Sequence, residues 1–146
     1  MRMPVMSTIT CTYQRPHFLK TTVASLRRQT YRDLQMIVIN NGNPQGSETV
    51  EYLNWIKSQD NRVVVIDYKD NLWSTEDPQR PLDLMDHALH DVATGDLVFL
   101  LNDDDFIGED YLEKMVRLFL ENPSCTTAAG LPVQVNVDGK VMEGAL

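Results

Sequence analysis

Cysteine is scarce in this chain. Cys11 and Cys125 are its two thiols in 146 residues, and neither belongs to a Cys-x-x-Cys or Cys/His cluster, which excludes a zinc scaffold or a disulfide framework. Both are expected to be reduced and structural. Long apolar runs are missing too: none approaches the roughly 20 residues of a membrane span, and the opening MRMPVMSTIT is too weakly hydrophobic for a secretion signal. The expectation is a cytoplasmic protein. Positive charge is in deficit, with 13 Lys and Arg against 21 Asp and Glu and a net charge of −8. Without clustered Lys and Arg a nonspecific duplex-binding surface is excluded, and no nucleic-acid partner is expected. Repeats and low-complexity segments are absent. What is present is ordinary for a folded globular chain, 42% hydrophobic and 23% charged, and its length suits one domain with its own core over 1–146.

Apolar periodicity alternates along the chain. Short β-branched runs at Val5–Thr10, Met36–Ile39, Val63–Ile66 and Leu97–Leu101 predict strands. Between and after them, helical spacing predicts helices starting near Pro16, which is tolerated in a first turn, then over Glu48–Lys57, Leu82–Val92 and Asp110–Glu121. Their expected inward faces are Leu19, Val23 and Leu26; then Leu82, Met85, Leu89 and Val92; then Leu112, Met115, Val116 and Phe119. Asn122-Pro123 stops the last helix. Strands alternating with helices imply an α/β fold with a mostly parallel sheet flanked by helices. The tail, Val133–Val137 and Lys140–Met142 around Asp138-Gly139, predicts an antiparallel hairpin.

Open parallel sheets bind ligands beyond the carboxyl ends of their strands. Three loops there are unusually polar: Cys11–Arg15, Asn40–Asn43 and Asn102–Asp105. Asp103, Asp104 and Asp105 repel one another, an arrangement explained if a cation or hydrogen-bond donors offset the repulsion; hard divalent ions choose such oxygens together with phosphate. The alternative is a solvated turn with one aspartate capping the next helix. Because the cluster follows a run expected to be a central buried strand, metal binding is favoured. Asn40-Asn41-Gly42 is either a turn or a reader of a nucleobase edge. Tyr13 either stacks on a base or covers the sheet edge, and Arg15 meets phosphate or solvent. His17, His87 and His90 are read as surface or helix-flank residues.

Three segments carry a resemblance: ITCTYQRPHFL, ASLRRQTYRDLQMIVINNG with its SLRRQTY string, and ATGDLVFLLNDDDFIGEDYLEKM. Over nearly the whole chain they resemble the family-two glycosyltransferases, whose nucleotide-binding domain has the Rossmann-like GT-A fold. The resemblance implies that Cys11, Thr12, Tyr13 and Arg15 border the nucleotide, that Asn41 stands where the family reads the base with an aspartate, and that Asp103 meets the ribose. It places the cation, Mn2+ or Mg2+, on Asp104 with help from Asp105.

The implied activity is transfer of a sugar from a nucleoside-diphosphate donor, UDP-linked in the family's commonest case, to an unknown glycan, lipid or protein acceptor. Several positions depart from the family. Cys11 stands where proline is common, Asn40-Asn41 where two acidic residues are frequent, and Met85-Asp86 where an Arg-Asn pair usually contacts the donor, with Arg80 as a possible substitute. The general base lies in a downstream half that this sequence lacks, so the acceptor site is expected from a longer chain or a partner chain. A binding module with a donor pocket and no transfer is the competing reading.

Overall fold

Four apolar runs rich in β-branched residues form strands: β1 (Met6–Thr12), β2 (Leu34–Asn41), β3 (Val63–Tyr68) and β4 (Leu97–Leu100). The helices are α1 (Pro16–Arg27), α2 (Glu48–Gln59), α3 (Arg80–His87), which a π-helical turn continues over Ala88–Val92, and α4 (Tyr111–Glu121). The structure, a computed structural model, describes residues 2–73, 80–136 and 138–142; the side chain of Arg80, raised above as a substitute donor contact, lies outside the described residues.

Local chemistry explains the helix ends. Pro16 opens α1, where a missing N–H costs no hydrogen bond. The Ser47 hydroxyl accepts the Val50 N–H at the start of α2, whose first turn carries Glu48 and Glu51 and whose last carries Lys57, matching the helix dipole at both ends.

The strands pair in parallel in the order β3-β2-β1-β4. β1 and β2 are central and buried along almost their whole length, which is why their sequences are near-continuous runs rather than alternating ones. Ile9, Ile37 and Ile39 from the sheet pack with Leu84 and Ala88 in a fully buried cluster. Leu19, Val23 and Leu26 of α1 and Val50, Leu53 and Ile56 of α2 complete the buried set; each such aliphatic side chain contributes about 1.5–3 kcal/mol.

Two expectations are corrected. β4 is not a central strand: it pairs with β1 at the edge of the described sheet, and its outward residues Val98 and Leu100 are 39% and 62% exposed. An apolar run alone does not separate a central strand from an edge strand. On α3 the inward face is Leu84 and Ala88 with Met85 and Val92 half-buried, whereas Leu82 and Leu89 point to solvent. The wider π turn at Ala88–Val92 breaks the 3.6-residue period for Leu89 and Val92, whereas Leu82 lies ahead of it in the first turn of α3.

The chain divides into two compact units, Met1–Lys114 and Met115–Leu146. The first contains the sheet. In the second, the hairpin expected over Val133–Val137 and Lys140–Met142 is represented by one antiparallel bridge between Val135 and Val141. The Asn136 carboxamide accepts the N–H groups of Asp138 and Lys140, and Gly139 takes φ +77°; Val137 lies outside the described residues. Val133 and Val141 are 55% and 66% exposed, so no buried apolar face supports a longer two-stranded ladder.

Candidate active site

The site begins with strand register. Ile9 of β1 lies opposite Leu100 of β4, and the Leu101 N–H donates to the Ile9 carbonyl. β1 then runs on to Thr12 while the segment leaving β4 turns. That offset brings the Thr12 hydroxyl to Asp103, to which it donates at 2.8 Å. Both residues are buried, at 1% and 4% exposure, so the acidic turn is tied to the sheet through its first aspartate.

Polar residues of α1 and of the segment just past its C-terminus frame the rest of the turn. The Thr22 hydroxyl sits 2.9 Å from the Asp103 carbonyl and 2.6 Å from that of Asp105. Ser25 donates to the Thr22 carbonyl and accepts the Ile107 N–H. Gln29 donates to the carbonyls of Ser25 and Gly108 and accepts the Leu112 N–H at 3.0 Å. The last bond satisfies one of the unpaired donors at the start of α4. All three side chains are essentially inaccessible to solvent; Thr22 and Ser25 lie three residues apart on α1, and Gln29 lies just past the helix end. The SLRRQTY string therefore has a structural meaning: Ser25 and Gln29 hold the segment that follows the aspartates, and the Tyr31 hydroxyl donates to the Pro4 carbonyl.

The neighbouring loops are fixed by asparagines. Asn43 donates to the Thr12 carbonyl and accepts the Gln14 N–H at 2.6 Å, which holds Gln14 at φ +54°, a left-handed conformation uncommon for a residue with a side chain. Asn40 reaches both Asp67 and Asn43. Asn41 is fully buried; its amide donates to Asn71 and its carbonyl accepts the Leu72 N–H. Gly42 has φ +73°, and a Cβ there would lie 2.2 Å from the Asn71 nitrogen, so the second and third strand-to-helix loops meet backbone to backbone at a place only glycine fits.

Charge is arranged unevenly. Burial raises the Asp103 pKa, reinforced by Asp104 and opposed by the Thr12 hydrogen bond and by Arg15. The Arg15 guanidinium stands 2.9 Å from Asp104 and 3.4 Å from Asp103. Asp105 turns aside, accepting the Asn102 amide at 3.1 Å. Burial also pushes the Cys11 thiol up to about 11, so it is uncharged at neutral pH and inert as a nucleophile.

These groups surround a cleft of about 290 Å³. Cys11, Thr12, Tyr13, Arg15, Asn41, Asp103 and Asp104 all line it, whereas Asp105 does not. Met85, at the position where the family has an Arg-Asn pair, gives the cleft an apolar wall, while the exposed Asp86 pairs with His90. His87 is not merely a flank residue, since its Nδ1 lies 2.6 Å from the Tyr68 hydroxyl. Sequence reasoning missed Trp73, which lines the cleft and is 57% exposed; a lone tryptophan just beyond the third strand was the available signal. Thr22 and Ser25 were missed because buried hydroxyls carry no periodic pattern, whereas Asn43 ends the polar Asn40–Asn43 loop that the sequence marks out.

Residues 7–74 match the family model described as Glycosyl transferase family 2. An uncharacterized glycosyltransferase from Haemophilus influenzae is 32% identical over 122 residues, covering 84% of this chain and 45% of that protein. The chain thus spans less than half the length of this curated relative. Among solved structures, S. aureus TarS (residues 1–349) superposes with TM-score 0.69 at 18% identity, over 88% of this chain and 38% of that one, and the same fragment has been solved with UDP and with UDP-GlcNAc. The mannosyltransferase PcManGT from Pyrobaculum calidifontis, solved with GDP-Man and Mn2+, superposes with TM-score 0.66 at 16% identity, over 82% and 33% of the two chains. At these identities the likeness is one of fold. Among the described residues no helix is long and apolar enough to cross a membrane.

Proposed function

Since this chain belongs to the family 2 glycosyltransferases and has their GT-A fold, we propose that its cleft receives the nucleoside diphosphate of a sugar donor, UDP foremost. The reaction proposed is transfer of the donor's sugar to an acceptor hydroxyl. A bond forms between that oxygen and the anomeric carbon, the bond from the anomeric carbon to the diphosphate oxygen breaks with its electron pair leaving on the diphosphate, and the hydroxyl's proton passes to a base. The observation that carries this reading is the meeting of the acidic turn with the first strand-to-helix loop, where Asp104 opens on the cleft beside buried Asp103 and Arg15.

The residues present fit a hard divalent cation. Asp103 and Asp104 offer carboxylate oxygens at the cleft, and Asp104 keeps 44% of its side chain exposed. Among the described residues no three His, Cys, Asp or Glu side chains are grouped to hold a metal ion. The two carboxylates suit an ion such as magnesium or manganese, which takes one or two carboxylates and completes its shell with water and substrate phosphates. Such a cation, when bound, neutralises charge growing on the departing diphosphate. Asp104 is its proposed ligand; Asp105, held by Asn102, keeps the turn closed.

The remaining roles follow from position. Tyr13 and Trp73 offer ring surfaces to a base, and Cys11, Ile9 and Met85 exclude water from the floor. Asn41 acts through the segment it anchors, because both halves of its amide are engaged by Asn71 and Leu72. Arg15 supplies positive charge for phosphate.

The test is Asp104→Asn. It removes a ligand charge from an exposed position, so the fold should persist by circular dichroism while the manganese-dependent part of UDP affinity falls by at least about tenfold, the ordinary effect of losing a charge-assisted contact. Unchanged affinity in manganese would remove Asp104 from the site.

A further inference from the structure

Arg15 has a second task that its place in the cleft makes legible. Asp103, Asp104 and Asp105 follow one another in a single tight turn, where Asp103 accepts from the Thr12 hydroxyl and Asp104 from the Arg15 guanidinium. The guanidinium lies 2.9 Å from Asp104 and 3.4 Å from Asp103. It therefore stands against the same carboxylate oxygens that a divalent ion would take. Its backbone is immobilised, because the Arg15 carbonyl accepts the Leu19 N–H in the first turn of α1 and the preceding Gln14 is held by Asn43. Its side chain is half exposed, at 50%, and exposed ion pairs are weak. A fixed backbone carrying a loosely held cation on a long side chain is the construction of a group that can leave and return.

Resting on the donor-site reading above, we propose that Arg15 is the acidic turn's resident counter-ion, which holds Asp103 and Asp104 together in the ligand-free protein and gives way when a divalent cation arrives with nucleotide. The released guanidinium remains in the cleft, where the incoming phosphates are the nearest anions. Cation and diphosphate then bind cooperatively: the ion alone must displace Arg15 with nothing to receive it, whereas the ion with diphosphate provides a new partner. Cation binding by the empty protein is weakened accordingly.

The experiment titrates manganese into the full chain and follows free Mn2+ by electron paramagnetic resonance, first without nucleotide and then with saturating UDP. Arg15→Gln should bind manganese alone about two- to five-fold more tightly than wild type, the factor an exposed ion pair converts to, yet gain less from added UDP. Lys20→Gln removes the same charge from α1, where Lys20 pairs with Glu48 instead of the turn, and should leave manganese affinity near wild type. Equal tightening in both variants would reduce the effect to net charge and overturn the proposal, as would no tightening in Arg15→Gln. If wild type binds manganese with UDP while Arg15→Gln shows no tightening, only this inference fails. If no protein binds manganese even with UDP, the donor-site reading fails and takes this one with it.

Discussion

Replacing Gln29 with leucine tests whether the acidic turn is held by α1 as the hydrogen bonds indicate. The side chain is fully buried and makes bonds of 3.1 Å to the Ser25 carbonyl, 2.6 Å to the Gly108 carbonyl and 3.0 Å from the Leu112 N–H. Leucine fills most of the volume but leaves those groups without their partner. Each buried group stranded in this way costs about 1–3 kcal/mol. Local relaxation lets some of them find water, so the expected net loss is about 3 kcal/mol. With a urea slope of about 2 kcal/mol/M for a domain of this size, the midpoint should fall by about 1.5 M. UDP affinity in manganese should fall as well, because Gly108 and Leu112 carry the segment that follows the aspartates. Gln29→Glu keeps the acceptor for the Leu112 N–H but turns a buried carboxylate oxygen toward the Ser25 and Gly108 carbonyls, and should lose at least as much. A midpoint shift below about 0.3 M in Gln29→Leu would refute the argument that this residue frames the turn.

Two further predictions concern stability. Thr10 has a buried hydroxyl with no hydrogen-bond partner among the described residues; Thr10→Val keeps its shape and should raise the thermal midpoint by about 3 °C, equivalent to about 1 kcal/mol, whereas a lower midpoint in calorimetry would mean that the hydroxyl is satisfied. Asp60 accepts from Arg62 and Arg27, which hold its pKa down to about 2 from an ordinary 3.8. A depressed carboxylate pKa stabilises the fold above the unfolded value and loses that contribution as pH falls through the folded one. Asp60→Asn should therefore cost about 1 kcal/mol at pH 7, after allowing for solvent screening, and the difference from wild type should vanish between pH 4 and 2; a difference that persists at pH 2 would show that it is not electrostatic.

Much of this architecture was legible because strands and helices announce themselves by period. The apolar runs at Met36–Ile39 and Val63–Ile66 became the cores of β2 and β3, and Leu19, Val23 and Leu26 became the buried face of α1. Rank within the sheet was not legible: Leu97–Leu101 has the composition of a central strand, and only pairing puts β4 at the edge. Nor was the register of α3, where Leu84 and Ala88, four residues apart, take the buried positions in place of Leu82 and Leu89. At the site, the aspartates and the TYQR loop stood out as polar residues beyond strand ends. Their support did not, because Thr22, Ser25 and Gln29 read as ordinary helix polarity until the turn they hold is folded against them.

The account rests on donor binding in the cleft, and calorimetric titration of the full chain with UDP and UDP-sugars, in manganese and then in chelator, addresses it most directly. It predicts one site per chain, with affinity that falls when the cation is removed. Absence of binding to any nucleoside diphosphate or its sugar, in manganese or without it, would contradict it.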